Sequence, residues 1–266
     1  MKKKLLSVIV WSVSMLVVIV LFGFVNMQRR SAMCVESKVT VLGDSSMQFI
    51  VDDDVYALLA QKGIRIDTIL ASEINLLNIE NEIKHHPAVQ NADVYFNPTG
   101  VLCMDILQRT PVLRVVDAFG ESYYIDDQGA YMPLISRYAA RVPVATGAII
   151  DPYYKLNMTV NELIANDSLA QHSATDDLFR FAMAARRDTF IWAQLEQVVV
   201  LPNGDLEMVP SMGPGSILIG DITHLEEKFR NLQMFYQQGL PVAGWDTYSA
   251  LNLKYNNQII CTKNIH

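Results

Sequence analysis

Residues Leu5 to Phe24 carry no charged side chain and almost no polar one. Twenty such residues in a helix reach roughly 30 Å, about the thickness of a bilayer's hydrocarbon core. A helix that is apolar on every side needs surroundings that are apolar on every side. Lys2, Lys3 and Lys4 precede the run, and cations there favour a cytoplasmic N-terminus. Arg29 and Arg30 follow it and weaken that bias. A secretory signal has a shorter apolar core, about 7–15 residues, and ends at small residues. Here Met27-Gln28-Arg29-Arg30 follows instead, and Met33 before Cys34 is too large for a lipid-attachment box. The sequence therefore predicts a single-pass membrane protein. Residues 1–4 form a cytoplasmic tail, 5–25 a transmembrane helix and 26–34 a linker, and the large folded part lies across the membrane.

Hydrophobic content of 51% is inflated by that span. Three of the 21 Lys and Arg residues precede it; the other 18 face 28 Asp and Glu, a balance of −10. Such acidity argues against nucleic acid, whose binders present a positive footprint, and against adsorption to anionic lipid. Cys34, Cys103 and Cys261 are odd in number and far apart, so they read as free or buried thiols.

After the linker, Val35 to Leu42 reads as a strand and Gly43-Asp44-Ser45-Ser46 as a turn. Asp52 is placed to cap a helix through Val55, Leu58 and Leu59 that stops at Gly63. Leu76, Ile79 and Ile83 recur at helical spacing, which predicts a second helix from Leu76 to His86. Ala92, Val94 and Phe96 share one face of a strand, and Leu102, Met104 and Ile106 share one face of the next. Asn97-Pro98-Thr99-Gly100 joins them as a hairpin turn. Strand, helix, helix, strand, strand is a complete small α+β domain.

Beyond Thr110 short strands alternate with turn signals: Leu113–Val116, Tyr123–Ile125 and Val142–Val144. Residues 150–173 are polar and weakly patterned. Thr175 is placed to cap a helix bearing Leu178, Phe181, Ala182 and Ala185. A hairpin follows over Leu195–Leu201 and Asp205–Val209, turning at Asn203-Gly204, and then a strand over Ser216–Ile219. Thr223 and Glu226 have capping-box spacing ahead of Leu225, Phe229, Leu232 and Tyr236. Gly239 and Pro241 are placed to close that helix. Ala250–Tyr255 and Gln258–Lys263 form the last hairpin. A strand with no successor can lie at a sheet edge with one row of main-chain groups unpaired.

Catalytic signatures are missing: no G-x-S-x-G, H-E-x-x-H or P-loop occurs. Asp52-Asp53-Asp54 suits a helix N-terminus, which favours acids. His85 and His86 are adjacent on a helix and point apart, so they make a poor metal pair. Asp126-Asp127, beside Gly129, reads as a turn. No enzyme, cofactor or metal is expected.

Several stretches resemble the bacterial cell-division family FtsQ, called DivIB in Gram-positive species. Ile79-Glu80-Asn81-Glu82-Ile83 followed by His86-Pro87-Ala88-Val89-Gln90-Asn91-Ala92-Asp93-Val94 is similar to a POTRA helix leading into that family's "HPWV-x-x-A-x-V". Gln108-Arg109-Thr110-Pro111-Val112 is similar to its "ER-x-PVA", with Gln108 in place of Glu and Leu113 in place of a small residue. Tyr124-Ile125-Asp126-Asp127-Gln128-Gly129 resembles "YID-x-x-G", Arg141-Val142-Pro143-Val144 "LPVL", and Leu251-Asn252-Leu253-Lys254-Tyr255 "I-D-L-R-Y". Gln238-Gly239-Leu240, Gly244-Trp245 and Cys261-Thr262-Lys263 resemble the version found in Bacteroidota.

The resemblance implies an α+β protein: a POTRA domain (β-α-α-β-β) over residues 35–110, then a mainly antiparallel β domain with accessory helices over 111–266. It implies a non-catalytic divisome scaffold of the inner membrane, enriched at the septum. Its partners are FtsB-like and FtsL-like membrane proteins bound in the periplasm by β-strand addition, and the septal peptidoglycan synthase indirectly. Tyr255 falls at the family's partner-contact tyrosine. Asn257, Gln258, Ile259, Ile260, Cys261 and Thr262 complete the expected partner surface. A POTRA-bearing subunit of an envelope export or assembly machine is the alternative, although such proteins carry several POTRA units, a barrel or a cleaved signal. An envelope enzyme is a third reading, opposed by the missing chemistry. The expected topology is checked with reporters fused after His266: alkaline phosphatase should be active there, and a cytoplasm-only reporter silent.

Overall fold

The computed structural model describes residues 11, 13–20, 36–44, 47–66, 74–151, 158–166, 173–255 and 258–264. Residues 13–20 are helical and exposed. Among the described residues no helix is long and apolar enough to cross a membrane. The rest of the expected span 5–25 lies outside them, as do Cys34 and Val35. The chain divides into two compact units, one ending at Gln108 and one starting at Arg109.

The first unit contains β1 (Ser37–Leu42), α1 (Asp52–Gln61), α2 (Leu76–Lys84), β2 (Val89–Phe96) and β3 (Leu102–Gln108). Its sheet runs β1-β3-β2, with β1 parallel and β2 antiparallel to β3. Period-two alternation sends Leu102, Met104 and Ile106 to one face, where each is fully buried. Ala92 and Val94 join them from β2, and the helices supply Val55, Leu59, Ile79 and Ile83. Leu59, not Leu58, fills the deepest position of α1; Leu58 stays half-buried.

Both helix starts rest on short polar side chains. Val51, not Asp52, is the N-cap of α1, and the Asp54 carboxylate reaches back to accept from the Val51 N–H at 3.1 Å. Asp52 instead lies in the first turn, where the helix dipole favours an acid. Asn75 caps α2 by accepting from the Asn78 N–H at 3.1 Å. That helix ends at Lys84, so His86 lies beyond it; Pro87 biases the preceding residue away from helical geometry.

Gln108 is nearly sealed from solvent, and its amide donates to the carbonyls of Asp44 and Met47 at 3.2 and 3.1 Å. An ionised Glu has no hydrogen to donate there.

The second unit holds β4 (Pro111–Val116), β5 (Ser122–Asp126), β6 (Tyr131–Pro133), β7 (Val144–Gly147), β8 (Leu195–Val200), β9 (Leu206–Pro210), β10 (Ser216–Gly220), β11 (Tyr248–Asn252) and β12 (Ile260–Lys263). They form one sheet in the order β6-β5-β4-β7-β8-β9-β10-β11-β12. Its helices are α3 (Val160–Ile164), α4 (Thr175–Arg187), α5 (Thr189–Gln194), α6 (Leu225–Met234), a π turn (Phe235–Gly239) and α7 (Leu240–Ala243). The core joins Val115, Ile125, Val198, Met208 and Ile217 of the sheet to Phe181 and Ala185 of α4 and Phe229 and Leu232 of α6.

The sheet is mixed: five of its eight neighbouring pairs are antiparallel, in line with the mainly antiparallel expectation, and three are not. Pairs β4–β7, β7–β8 and β10–β11 are parallel. A parallel pair needs a crossover, and the helical segments between β7 and β8 and between β10 and β11 supply it. Pairing in β7 starts at Val144, not Val142, because Pro143 has no N–H; its carbonyl still accepts from Arg114 at 2.9 Å. Asp126 closes the β5–β6 turn. One carboxylate oxygen accepts from the Gln128 and Ala130 N–H groups, and the other from Arg109 at 2.7 Å, in full burial.

The expected caps of the long helices are also corrected. Thr175 lies inside α4, and its hydroxyl and N–H both donate to Asp151. The cap of α6 is His224 in a left-handed conformation, with no side-chain capping bond; Thr223 is engaged by Asp221 instead. Residues 150–173 contain a short helix, α3, with a Thr159/Glu162 capping box that escaped the sequence reading.

Ile106→Asp tests the first unit's register. An unpartnered buried charge costs several kcal/mol, on the scale of a domain's whole stability. The variant's first unit should be cleaved rapidly in limited proteolysis, while Ile106→Val, costing about 1 kcal/mol, stays resistant.

Candidate partner-binding edge

The nine-stranded sheet has two edges, and they differ in kind. The β6 edge is three residues long and ends in Pro133. Shortness and proline both blunt an edge. The β12 edge is, among the described residues, paired antiparallel to β11 on one side and to no strand on the other. Leu251 faces Cys261 and Asn252 faces Ile260, with a register shift between Tyr248 and Ala250. Alternation turns Ile259 and Cys261 toward the helix-covered core and leaves Ile260 46% exposed, with Thr262 exposed beside it. Burial pushes the Cys261 thiol up, away from the reactive thiolate.

The stretch entering the hairpin is pinned. Leu253 is buried, and its N–H donates to the Leu218 carbonyl at 2.8 Å. Lys254 pairs with Asp205 at 2.7 Å. Tyr255 then emerges, 51% exposed, beside a small hollow shared with His224, Glu227, Asn231 and Gln258. Asn257 lies outside the described residues. The structure therefore brings Tyr255, Gln258, Ile259, Ile260, Cys261 and Thr262 to one border of the sheet.

Sequence reasoning found the helix that flanks this border but missed its continuation past Gly239. The expected stop at Gly239 and Pro241 does not occur. The backbone widens into a π turn over Phe235–Gly239 and resumes as α7, ending at Gly244. A Cβ on Gly239 would stand 2.8 Å from the Phe235 ring, so only glycine lets the turn close on that side chain. Phe235, Met234, Asn231, Gln238, Gln258 and Ile259 line an open groove of about 480 Å³. Glycine followed by proline is the ordinary signature of a helix end, so the sequence held no clear signal for the π turn. At the other end of α6, Lys228 is buried, and its ammonium donates to the Asp221 carbonyl at 2.8 Å and carboxylate at 3.0 Å. The Thr223 hydroxyl and then Lys228 hold the Asp221 carboxyl below its ordinary range.

A second cluster of titratable groups sits at the start of α4. Asp151 accepts from Ser173 and from the hydroxyl and N–H of Thr175, at 2.6–2.8 Å. Asp176 is also buried, yet among the described residues its Oδ1 has no hydrogen-bond partner, and neither does the Tyr131 hydroxyl. Burial, reinforced by Asp177, raises the Asp176 carboxyl to about 6. The arrangement is a capping network with one carboxylate left over. Among the described residues no group of three or more His, Cys, Asp or Glu is placed to hold a metal.

A small β-α-α-β-β unit followed by a nine-stranded mixed sheet is the two-unit plan of a POTRA-bearing protein. A family description reading "POTRA-like domain" matches residues 32–107, and one reading "FtsQ/DivIB, C-terminal related" matches residues 110–262, more than half of the chain. The chain belongs to this FtsQ/DivIB-related family. It is similar to the cell division protein FtsQ of Rhodothermus marinus, 27% identical over 192 residues, which are 71% of this chain. The match spans 65% of that relative's length.

Asp176 gives the second unit a pH signature. Its folded pKa near 6 exceeds the ordinary 3.8. A raised carboxyl contributes stability that is complete below the unfolded pKa and is lost as pH rises through the folded one. Asp176→Asn should therefore stabilise the fold by about 1–3 kcal/mol at pH 7.5 and change little at pH 4. Urea unfolding at the two pH values measures the difference.

Proposed function

We propose that this chain is a non-catalytic scaffold of the bacterial division machinery. Residues 5–25 anchor it in the inner membrane, and the folded units lie in the periplasm at the septum. It binds FtsB-like and FtsL-like membrane proteins there, and through them recruits and regulates septal peptidoglycan synthesis. Family membership supports the division role. The observation that carries the binding mode is strand β12, paired among the described residues on one side only and with Ile260 and Thr262 exposed. Such an edge accepts an extended segment as a further strand: main-chain bonds supply affinity, and side-chain pockets supply specificity. Tyr255 and the groove beside Phe235 are the pockets at hand. An exposed tyrosine beside a hollow is the side-chain type enriched at interface hot spots.

The test uses the full chain in detergent and the periplasmic segment of an FtsB-like protein. Tyr255→Ala and Ile260→Glu should each weaken binding about tenfold or more, about 1.4 kcal/mol, while the Tm moves by only a few degrees. Proline is the sharper probe. Of two neighbouring residues in an edge strand, one points its N–H inward to the ladder and the other outward. Between Ile260→Pro and Cys261→Pro, one variant should therefore keep its Tm and lose the partner. Variants that stay folded and bind normally would place the site elsewhere.

A further inference from the structure

Two segments near the Lys263 end of β12 carry no charge. Residues 210–215 read Pro-Ser-Met-Gly-Pro-Gly and residues 239–245 read Gly-Leu-Pro-Val-Ala-Gly-Trp, in a chain with 18% charged residues. The fold joins them into one tip. The Tyr236 hydroxyl donates to the Met212 carbonyl at 2.7 Å, and the Tyr236 ring meets Trp245 edge-on with centroids 6.0 Å apart. Gly213 comes so close that a Cβ there would stand 3.0 Å from the same hydroxyl. What the tip presents to solvent is apolar: Met212 is 58% exposed, Val242 89% and Trp245 42%. Single exposed apolar residues need no explanation, but a built group of them marks an interaction surface.

The tip is continuous with the edge strand. Asn264, directly after β12, donates its N–H to the Thr247 carbonyl at 3.0 Å and its side-chain amide to the Asp246 carbonyl. Trp245 precedes that pair of contacts. A segment paired along the free side of β12 therefore leaves the strand at the end of the sheet that carries Trp245.

We infer that this tip is the second half of the β12 docking surface. The polypeptide that adds a strand at β12 continues past Lys263 and lays an uncharged, apolar segment over Met212, Val242 and Trp245. The inference rests on the strand-addition reading above. Four residues of strand offer few main-chain bonds, and each is worth little net of water. Apolar burial at the strand's end adds affinity that the ladder alone lacks. An anionic bilayer is a poor occupant, because the tip has no Lys or Arg and the chain's net charge is −7.

The test places a photocrosslinking amino acid at Thr262 or at Val242 of the full chain in dividing cells. The same polypeptide should be captured from both positions. Capture from Thr262 but not from Val242 overturns the tip inference and leaves strand addition standing. Capture from neither position overturns both. Lipid, a second copy of this chain, or a different protein at Val242 also overturns the inference. Affinity supplies an independent measurement on the detergent-solubilised chain, with the polypeptide captured at Thr262 as ligand. Val242→Glu and Met212→Glu should weaken binding about tenfold at unchanged Tm, whereas Phe119→Glu, on an equally exposed hairpin tip, leaves it unchanged. Normal affinity in both tip variants overturns the proposal.

Discussion

Strands β10 and β11 run in the same direction, and that single constraint shapes the working border of the second unit. Parallel neighbours cannot be joined by a tight turn. The chain leaves β10, climbs through α6, the π turn and α7, and returns to lay β11 beside β10. Everything after the crossover is then added outward. The hairpin that follows β11 places β12 at the border, with no further strand of the sheet beyond it among the described residues. The helix that makes the crossover necessarily flanks the same border. Open strand, groove and apolar tip are thus three consequences of one topological step.

The π turn shows how locally this is tuned. An uninterrupted α-helix through Gly239 would carry Pro241 in its interior, where proline lacks a donor and clashes with the preceding turn. Widening the backbone over Phe235–Gly239 lets Pro241 begin a fresh helical segment. The same widening seats the Phe235 ring against Gly239 and close to Tyr248 of β11, with ring centroids 5.8 Å apart. A backbone irregularity therefore sets the wall of the groove and props the strand that β12 pairs with.

Much of this architecture was legible in the sequence, and the boundary of legibility is physical. Period-two alternation revealed the faces of β2 and β3, because the first unit buries one side of its sheet only. The stripe Leu225, Phe229, Leu232 and Tyr236 reported a true core face, and all four are buried. What stayed hidden depends on contacts distant in sequence. The caps read at Thr175 and Thr223 failed because Asp151 and Asp221 take those hydroxyls instead. Parallel pairing of β4 with β7 leaves no mark on either strand's own residues. Tyr255 was reached through family likeness, whereas Met234, Phe235 and Val242 became visible as a surface only once the crossover had placed them.

The terminal strand also explains how such a border can remain open without harm. An unpaired edge invites any strand, including one from another copy. Here the edge is four residues long, ends in Lys263, and holds to β11 across a register shift. Among the described residues, Cys261 and Ile259 just before the strand anchor it against the core. Few buried contacts and one row of main-chain bonds place β12 at the low end of local stability. A segment that pairs along its free side adds the second row and stabilises the strand by mass action, since it binds the ordered form alone. On the proposed strand-addition reading, discrimination then falls to what lies beside the strand. A nonspecific strand would find only the short ladder, whereas a matched one would also fill the groove at Phe235 and cover the tip at Trp245. The weakness of the edge and the breadth of its flanks would together make the border selective.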